Sequence, residues 1–109
     1  MKRYKVLVTE HALLDLDDIA HHITLRDGPA RAEQVGRRIE QVYASLSLLP
    51  NRGNYPRELL ELGNGSFREV HFKPYRIVYR VLGSQVVVLL VADGRRDMHA
   101  LLARRLLAV

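Results

Sequence analysis

The chain has 109 residues, of which 48% are hydrophobic and none is cysteine. This length supplies one hydrophobic core, so we expect a single domain over residues 1–109. Without cysteine the chain has neither a disulfide framework nor a thiol nucleophile, which fits a reducing compartment. No apolar run approaches the roughly 18 residues that span a bilayer, and the run after the first cations is too short for a signal peptide. We therefore expect a cytoplasmic protein with no membrane association.

The positive charge is unevenly distributed along the chain. Residues 1–65 carry nine Lys/Arg and nine Asp/Glu, whereas residues 66–109 carry eight Lys/Arg and three Asp/Glu, so the whole net charge of +5 lies in the second segment. Clustered cations raise the local potential and steer anionic partners toward the protein. The pattern predicts a nucleic acid or an acidic protein as partner and does not choose between them.

The first half of the chain predicts a strand followed by a helix hairpin. Residues 4–8 alternate aromatic and branched side chains, as in a strand, and Thr9 can cap the next segment. The helix over residues 10–25 ends at Asp27-Gly28-Pro29, and a second helix should run from Pro29 to Pro50. Its apolar seam predicts antiparallel packing on the first helix. The expected apolar positions are Leu13, Leu16, Ile19, Ala20 and Ile23 in the first helix and Ala32, Val35, Ile39, Val42, Leu46 and Leu49 in the second.

A connector over residues 51–65 is rich in Gly and Pro and has room for one helical turn at residues 57–62. Residues 66–72 then predict a strand. Phe67 and Val70 are an odd number of residues apart, so we expect a bulge in this strand that puts them on one face. Lys73-Pro74 should form the following turn.

The next strand, Tyr75–Leu82, places Arg76 and Arg80 on one face. Residues 86–92 are continuously apolar, which indicates a strand covered on both faces near the middle of the sheet. Asp97 is placed to cap a last helix over residues 98–107.

The order of elements predicts an α+β fold. It consists of an N-terminal strand, an antiparallel helix hairpin, a three-strand antiparallel meander completing a small sheet, and a short C-terminal helix. We expect the helices to pack on one face of this sheet.

Basic residues converge on the predicted sheet. The loop Gly94-Arg95-Arg96 ends the central strand and should approach the arginines of the neighbouring strand. Guanidinium groups suit phosphate because their planar fork donates two hydrogen bonds at once. The expected residues for target or phosphate binding are Arg68, Lys73, Arg76, Arg80, Arg95 and Arg96. The alternative is that these arginines are solvated or pair with Glu69, Asp93 and Asp97.

RNA cleavage would require a base, an acid and cations near the phosphorus. Two histidines, His71 and His99, could titrate usefully in such a site. The candidates for a ribonuclease centre are therefore Arg68, His71, Arg76, Arg96 and His99.

Two other groups of residues could bind a ligand, but their patterns favour a purely structural role. Asp18, His21 and His22 lie close together on the first helix, but no distant ligand completes a metal site, so we expect no metal and no cofactor. Tyr75 and Tyr79 could stack on bases. Their strand face is otherwise apolar, which favours packing in the core.

The runs FREVHFKPYRIVYRV and QVVVLLVADGRRDM, with the acidic helix DLDDIAHHI before them and LLARRLL after them, resemble toxins of the RelE/ParE family. The resemblance covers nearly the whole chain and is most specific over residues 75–80 and 94–97. The family belongs to bacterial type II toxin–antitoxin modules, which stabilise plasmids. It implies a small toxin held inactive by a cognate antitoxin in a hetero-oligomeric complex.

The two branches of the family imply different targets. Toxins of the RelE branch cut mRNA on the ribosome without a metal. Arg76 and Arg96 match arginines of that branch and Arg68 falls near one of its lysines, but Val70 and Leu102 stand where it has a second lysine and a tyrosine. The ParE branch poisons DNA gyrase, and its longer helix hairpin matches this chain.

We therefore expect a toxin that poisons DNA gyrase. The alternatives are a ribosome-dependent mRNA endoribonuclease and a non-toxic basic nucleic-acid-binding module. The antitoxin is expected to place acidic groups against Arg76, Arg80 and Arg96.

Overall fold

A computed structural model describes residues 2–107 of the chain. Its helices are α1 (Glu10–Asp27), α2 (Pro29–Ala44), α3 (Arg57–Leu60) and α4 (Met98–Leu102), and α4 continues as a π-helical turn over Ala103–Leu107. Its strands are β1 (Lys5–Val8), β2 (Arg68–Phe72), β3 (Tyr75–Leu82) and β4 (Gln85–Asp93). In this part of the chain no helix is both long enough and apolar enough to cross a membrane.

The four strands form one sheet in the order β1-β4-β3-β2. β4 therefore lies inside the sheet, as its continuous apolar run predicts. It pairs with β1 in parallel and with β3 antiparallel. Because β1 ends at Val8, opposite Val88, the rest of β4 has no strand beside it on that edge. Helix α1 starts at this point and runs along the open edge.

The hairpin begins and turns where the sequence predicts, but its second helix ends early. The Thr9 side chain accepts a hydrogen bond from the N–H of Ala12 at 3.1 Å and so caps α1. Gly28 separates the two helices with a φ of 93°, a backbone conformation that residues with a Cβ atom rarely adopt. Helix α2 ends at Ala44 and a short 3-10 turn follows, so it does not reach Pro50 as expected.

Of the eleven expected apolar positions, five are buried and four are partly buried against the core, but the two at the ends of the seam are exposed. Leu13 is 50% exposed, and Ala12 is fully buried in its place. Leu49 is 58% exposed because it lies beyond the end of α2. The buried centre, which includes Ile23, Val35 and Ile39, packs on the sheet as predicted.

Helices cover both faces of the sheet, so the expectation of a one-sided arrangement is wrong. One face carries the hairpin, and its core contains Val70, Ile77 and Tyr79. On the opposite face α3 and α4 cover a second core, whose buried side chains are Leu59, Phe67, Val78, Leu90, Ala92, Met98, Leu101 and Leu102. The two short helices close this side because Leu59 and the leucines of α4 are fully or almost fully buried.

The β-bulge also lies in a different strand from the one predicted. Strand β2 pairs with β3 without a register shift, so the bulge expected between Phe67 and Val70 does not exist. These two side chains enter different cores and need no common face. The irregularity lies between β3 and β4, where Leu89 is the extra residue. It reverses the alternation in β4, so that Val88 and Val91 face the same core.

Candidate functional site

Arg76 is held by two carboxylates. Its Nε and Nη2 donate to the two oxygens of Glu69, and its Nη1 and Nη2 donate to the two oxygens of Glu58 at 2.8 and 2.7 Å. The Arg76 side chain is 14% exposed and those of Glu58 and Glu69 are 10% and 5% exposed. We call these three residues the Arg76 cluster. Its formal charge is −1, so the guanidinium does not present a free positive charge.

The cluster joins three parts of the chain. Glu69 in β2 and Arg76 in β3 lie on the sheet face opposite the hairpin, and Glu58 comes from α3. Asn54 adds a hydrogen bond from its side chain to Glu69 at 3.2 Å. The hydrogen bonds from Arg76 hold the pKa of Glu58 at about 2, below its ordinary value of 4.5, and the partly buried position opposes this shift. The cluster therefore fixes the connector onto the sheet.

This lowered pKa predicts a loss of stability in acid. Because the folded-state pKa lies below the unfolded one, Glu58 stabilises the fold above pH 4.5 and this contribution is lost as the pH falls toward about 2. The contribution is on the order of 2–3 kcal/mol. Urea unfolding at several pH values should show that the Glu58→Gln variant is less stable at neutral pH and loses less free energy of unfolding in this window. Parallel pH profiles for the variant and the wild type would contradict this.

A small cleft opens beside the Arg76 cluster. It has a volume of about 240 Å³, and its other lining residues are Asn54, Tyr55, Arg57 and His71. Arg68 stands next to it, donating to the carbonyl of Gly53 at 2.8 Å and to the Tyr55 hydroxyl at 2.8 Å. Its guanidinium also stacks on the Tyr55 ring, 4.4 Å from the centroid. Arg76 and His71 thus border one cleft, whereas Arg68 meets it only through Tyr55, and both arginines already have protein partners.

The two histidines of the predicted site contact different carboxylates. His71 Nε2 is 3.4 Å from Glu69 and borders the cleft. His99, in the first turn of α4, contacts Glu61 at 3.2 Å. Among residues 2–107 the two imidazoles therefore share no polar partner.

The basic loop after β4 also differs from a free cationic surface. Arg95 binds the carboxylate of Asp93 through its side chain and its N–H, which lowers the pKa of Asp93. Gly94 lies so close to Arg76 that an added Cβ would be 2.9 Å from the Arg76 Cδ. Arg96 is exposed and lines a different groove. The loop therefore contacts Arg76 through Gly94, while its two arginines point elsewhere.

Two further predicted binding residues are exposed at opposite ends of β3. Lys73 is in the turn before this strand. Arg80 lies near its end, with its guanidinium 5.8 Å from the centre of the Phe67 ring. Neither joins the Arg76 cluster.

Val70 and Leu102 occupy core positions. Val70 is 3% exposed and faces the hairpin, whereas Leu102 is fully buried under the opposite face. Neither side chain borders the cleft beside Arg76.

A larger groove lies between α1 and the open edge of β4, and we call it the α1–β4 groove. Its volume is about 480 Å³, and it is lined by Asp15, Asp18, Ile19, His22, Ile23, Arg26, Tyr75, Val91, Ala92, Asp93 and Arg96. At one end Asp15 accepts a hydrogen bond from the N–H of Val91 at 3.0 Å and binds Arg105 at 2.9 and 3.0 Å. Arg105 also donates to the carbonyl of Leu89 at 3.1 Å. Two side chains thus hydrogen-bond the backbone edge of β4 that β1 leaves open.

The tyrosines of β3 are core residues, as their strand face predicts. Tyr79 is fully buried, and its hydroxyl donates to the carbonyl of Pro50 at 2.6 Å and accepts from the N–H of Gly53 at 3.1 Å. Burial raises its pKa. In the described part of the chain no three His, Asp or Glu side chains converge as metal ligands.

Sequence reasoning missed Glu58, Asp15 and Arg105. Glu58 belongs to a four-residue helix in the connector, where no periodicity marks it. The one available signal was indirect, because a buried arginine on a sheet face requires carboxylates nearby. Glu69 was considered as a partner for the arginines, and the structure pairs it with Arg76.

Comparison with known proteins gives a consistent result. The family model for the ParE toxin of the type II toxin–antitoxin system parDE matches residues 6–98. Toxin ParE3 of Caulobacter vibrioides is 32% identical over 101 residues, which cover 93% of this chain and 97% of that protein.

Solved structures share the fold. The chromosomal ParDE system from P. aeruginosa superposes with a TM-score of 0.69 at 22% identity, covering 84% of this chain and 96% of that one. The toxin–antitoxin complex RelBE2 from Mycobacterium tuberculosis gives a TM-score of 0.58 at 26% identity, covering 85% and 93%. A mutant of E. coli toxin RelE in the free state gives 0.56 at 17% identity, covering 90% of each chain. With the family match over most of its length, the chain belongs to the ParE toxins of type II toxin–antitoxin systems.

Proposed function

We propose that this toxin stops growth by binding and poisoning DNA gyrase and does not cut RNA. The observation that carries the proposal is the Arg76 cluster. Arg76 matches an arginine of the ribonuclease branch, but four of its hydrogen bonds go to Glu58 and Glu69. A phosphate would have to displace a buried carboxylate and leave that charge unpaired, which costs several kcal/mol.

The other positions of the ribonuclease branch support the same proposal. A general base must reach the proton that it removes, either directly or through one water molecule. Val70 and Leu102 have no titratable group, and both are buried in the cores. The remaining candidates, His71 and His99, face separate carboxylates. The positions that would hold catalytic groups therefore serve packing in this chain.

We also propose that a cognate antitoxin neutralises the toxin in the cytoplasm. RelBE2 is a toxin–antitoxin complex, and this chain matches one of its chains at 26% identity. The α1–β4 groove is a suitable binding surface because it combines the partly buried apolar side chain of Ile19 with exposed Arg96. An amphipathic antitoxin segment could cover the apolar side chains and place a carboxylate against Arg96.

Two assays on the same purified toxin separate the proposed target from its alternatives. In the first, gyrase supercoils relaxed plasmid in the presence of toxin, and in the second, programmed ribosomes carry a labelled mRNA. We expect inhibition of supercoiling and intact mRNA. Clean mRNA cuts together with unaffected supercoiling would establish the ribonuclease and refute the gyrase proposal.

Growth tests the toxic activity itself. Expression of the toxin alone should arrest growth, and the neighbouring gene product should relieve the arrest. Normal growth would instead favour a non-toxic nucleic-acid-binding module.

A further inference from the structure

Three segments of the chain meet at the end of the sheet that carries the β3–β4 turn. They are residues 2–6, 44–52 and 80–87. The N–H of Tyr4 donates to the carbonyl of Ser47 at 2.7 Å, and the N–H of Lys5 donates to the carbonyl of Ser84 at 3.0 Å. These two hydrogen bonds join the start of β1 to the segment after α2 and to the hairpin turn.

The charged side chains of these three segments are all cationic. The three segments contain no Asp or Glu, and their five basic residues are Lys2, Arg3, Lys5, Arg52 and Arg80. Within residues 2–107 none of these five forms an ion pair. We call these five residues the cationic end.

The distribution of unpaired positive charge on the folded protein differs from the distribution of net charge along the sequence. Residues 66–109 hold the whole net charge, yet three of their arginines are paired within the fold: Arg76 with Glu58 and Glu69, Arg95 with Asp93, and Arg105 with Asp15. Folding therefore neutralises much of the expected basic surface. The cationic end draws four of its five residues from the electrically neutral first part of the chain.

Two of the five cations, Lys5 and Arg80, lie on the sheet face opposite the hairpin. Val6 and Val8 face the hairpin core, so Lys5 points to the opposite face, and Arg80 follows Tyr79 in the same way. Lys5 pairs with Gln85, and Arg80 pairs with Val87, so the two lie on strands that flank β4. Their separation across the sheet is about 10 Å.

We propose that the cationic end binds the phosphate backbone of duplex DNA without regard to base sequence. Its lysines and arginines are exposed and line neither of the two grooves described above, so they suit a partner with regularly repeated charge. Duplex DNA carries about one negative charge per 1.7 Å of axis. An anionic membrane surface also attracts clustered cations. The exposed leucines of these segments, Leu48, Leu49 and Leu82, come from turns and a strand end and do not form the continuous apolar face of an amphipathic helix.

The proposed DNA contact goes beyond the gyrase proposal and does not depend on it. It would place the toxin on the DNA itself, through a surface separate from both the Arg76 cluster and the α1–β4 groove. Gyrase inhibition and DNA binding can therefore fail independently.

Fluorescence anisotropy with a labelled duplex of arbitrary sequence, measured over a series of NaCl concentrations, tests this contact. If all five cations reach phosphates, log K should fall against log salt with a slope of about −4 to −5. The variant Lys5→Gln/Arg80→Gln should make the slope less negative by about two and weaken binding on the order of tenfold at moderate salt. The variant Arg31→Gln/Arg37→Gln removes the same charge from exposed positions on α2 and should keep the wild-type slope.

Three outcomes would overturn the proposal. The first is failure of the wild type to bind duplex at low salt, and the second is an equal loss of DNA affinity in Lys5→Gln/Arg80→Gln and Arg31→Gln/Arg37→Gln. The third is binding to phosphatidylserine vesicles in place of duplex. Circular dichroism checks that each variant is folded. If Lys5→Gln/Arg80→Gln is not folded, Lys2→Gln/Arg3→Gln provides the same two-charge comparison outside the strands and should show the same loss of slope.

Discussion

Replacing Arg76 with methionine should lower the free energy of unfolding by about 3–5 kcal/mol. The substitution leaves Glu58 and Glu69 close together, poorly solvated and without their shared cation. Loss of one partner from a buried ionic group costs more than the group contributes when complete, because the remaining charges lose their compensation. Urea unfolding followed by circular dichroism measures the difference.

The matched control is Arg95→Met. Arg95 also binds a carboxylate, but its side chain is 74% exposed, so its loss should cost far less stability than the loss of Arg76. Combining Arg76→Met with Glu58→Gln and Glu69→Gln should recover part of the lost stability, since the uncompensated charges are then absent. An Arg76→Met variant as stable as the control would show that the Arg76 cluster is not a buried ionic group.

The second large effect is expected at Asp15. Replacing Asp15 with alanine should cost about 3 kcal/mol, since it leaves the Arg105 guanidinium and the Val91 N–H without their acceptor. The Asp15 and Arg105 side chains are only 16% and 17% exposed, so water replaces the lost carboxylate poorly. Thermal and urea unfolding of the full-length chain provide the measurement.

Asp17 is the control for this substitution, because it lies on the same helix and is exposed. Asp17→Ala should change stability by less than about 0.5 kcal/mol. The double variant Asp15→Ala/Arg105→Met should be more stable than the sum of its two single changes predicts, because the two residues share one interaction. Additive losses would contradict direct coupling between α1 and the C-terminal turn.

Local signals in the sequence predicted most elements of the fold. Thr9 and Asp97 cap helices, and their side chains accept hydrogen bonds from Ala12 and Ala100 as expected. The apolar run of β4 predicted an internal strand, which the strand order confirms. These features depend on a few neighbouring residues and on burial, so they can be predicted from one sequence without knowledge of distant contacts.

Features set by distant contacts were missed or placed wrongly. The second core depends on α3, whose four residues have no helical period of their own. The bulge at Leu89 depends on how β3 and β4 align. The odd spacing of Phe67 and Val70 predicts a bulge in β2 instead, but these two side chains enter different cores. Glu58 lies 18 residues from Arg76, and no local pattern connects them.

The same reason explains why the candidate site changed. The sequence places arginines along one basic stretch, but whether a guanidinium is free depends on carboxylates elsewhere in the chain. Folding brings Glu58 to Arg76 and Asp15 to Arg105. Within residues 2–107 these ion pairs, and not the local sequence, decide which cations stay unpaired, among them those at the other end of the sheet.

Titration of gyrase supercoiling with the purified toxin tests whether gyrase is the target. Supercoiling should fall as toxin is added, and prior addition of the cognate antitoxin should restore it. Full supercoiling at toxin concentrations that cut mRNA on programmed ribosomes would show that the toxin acts on RNA and not on gyrase.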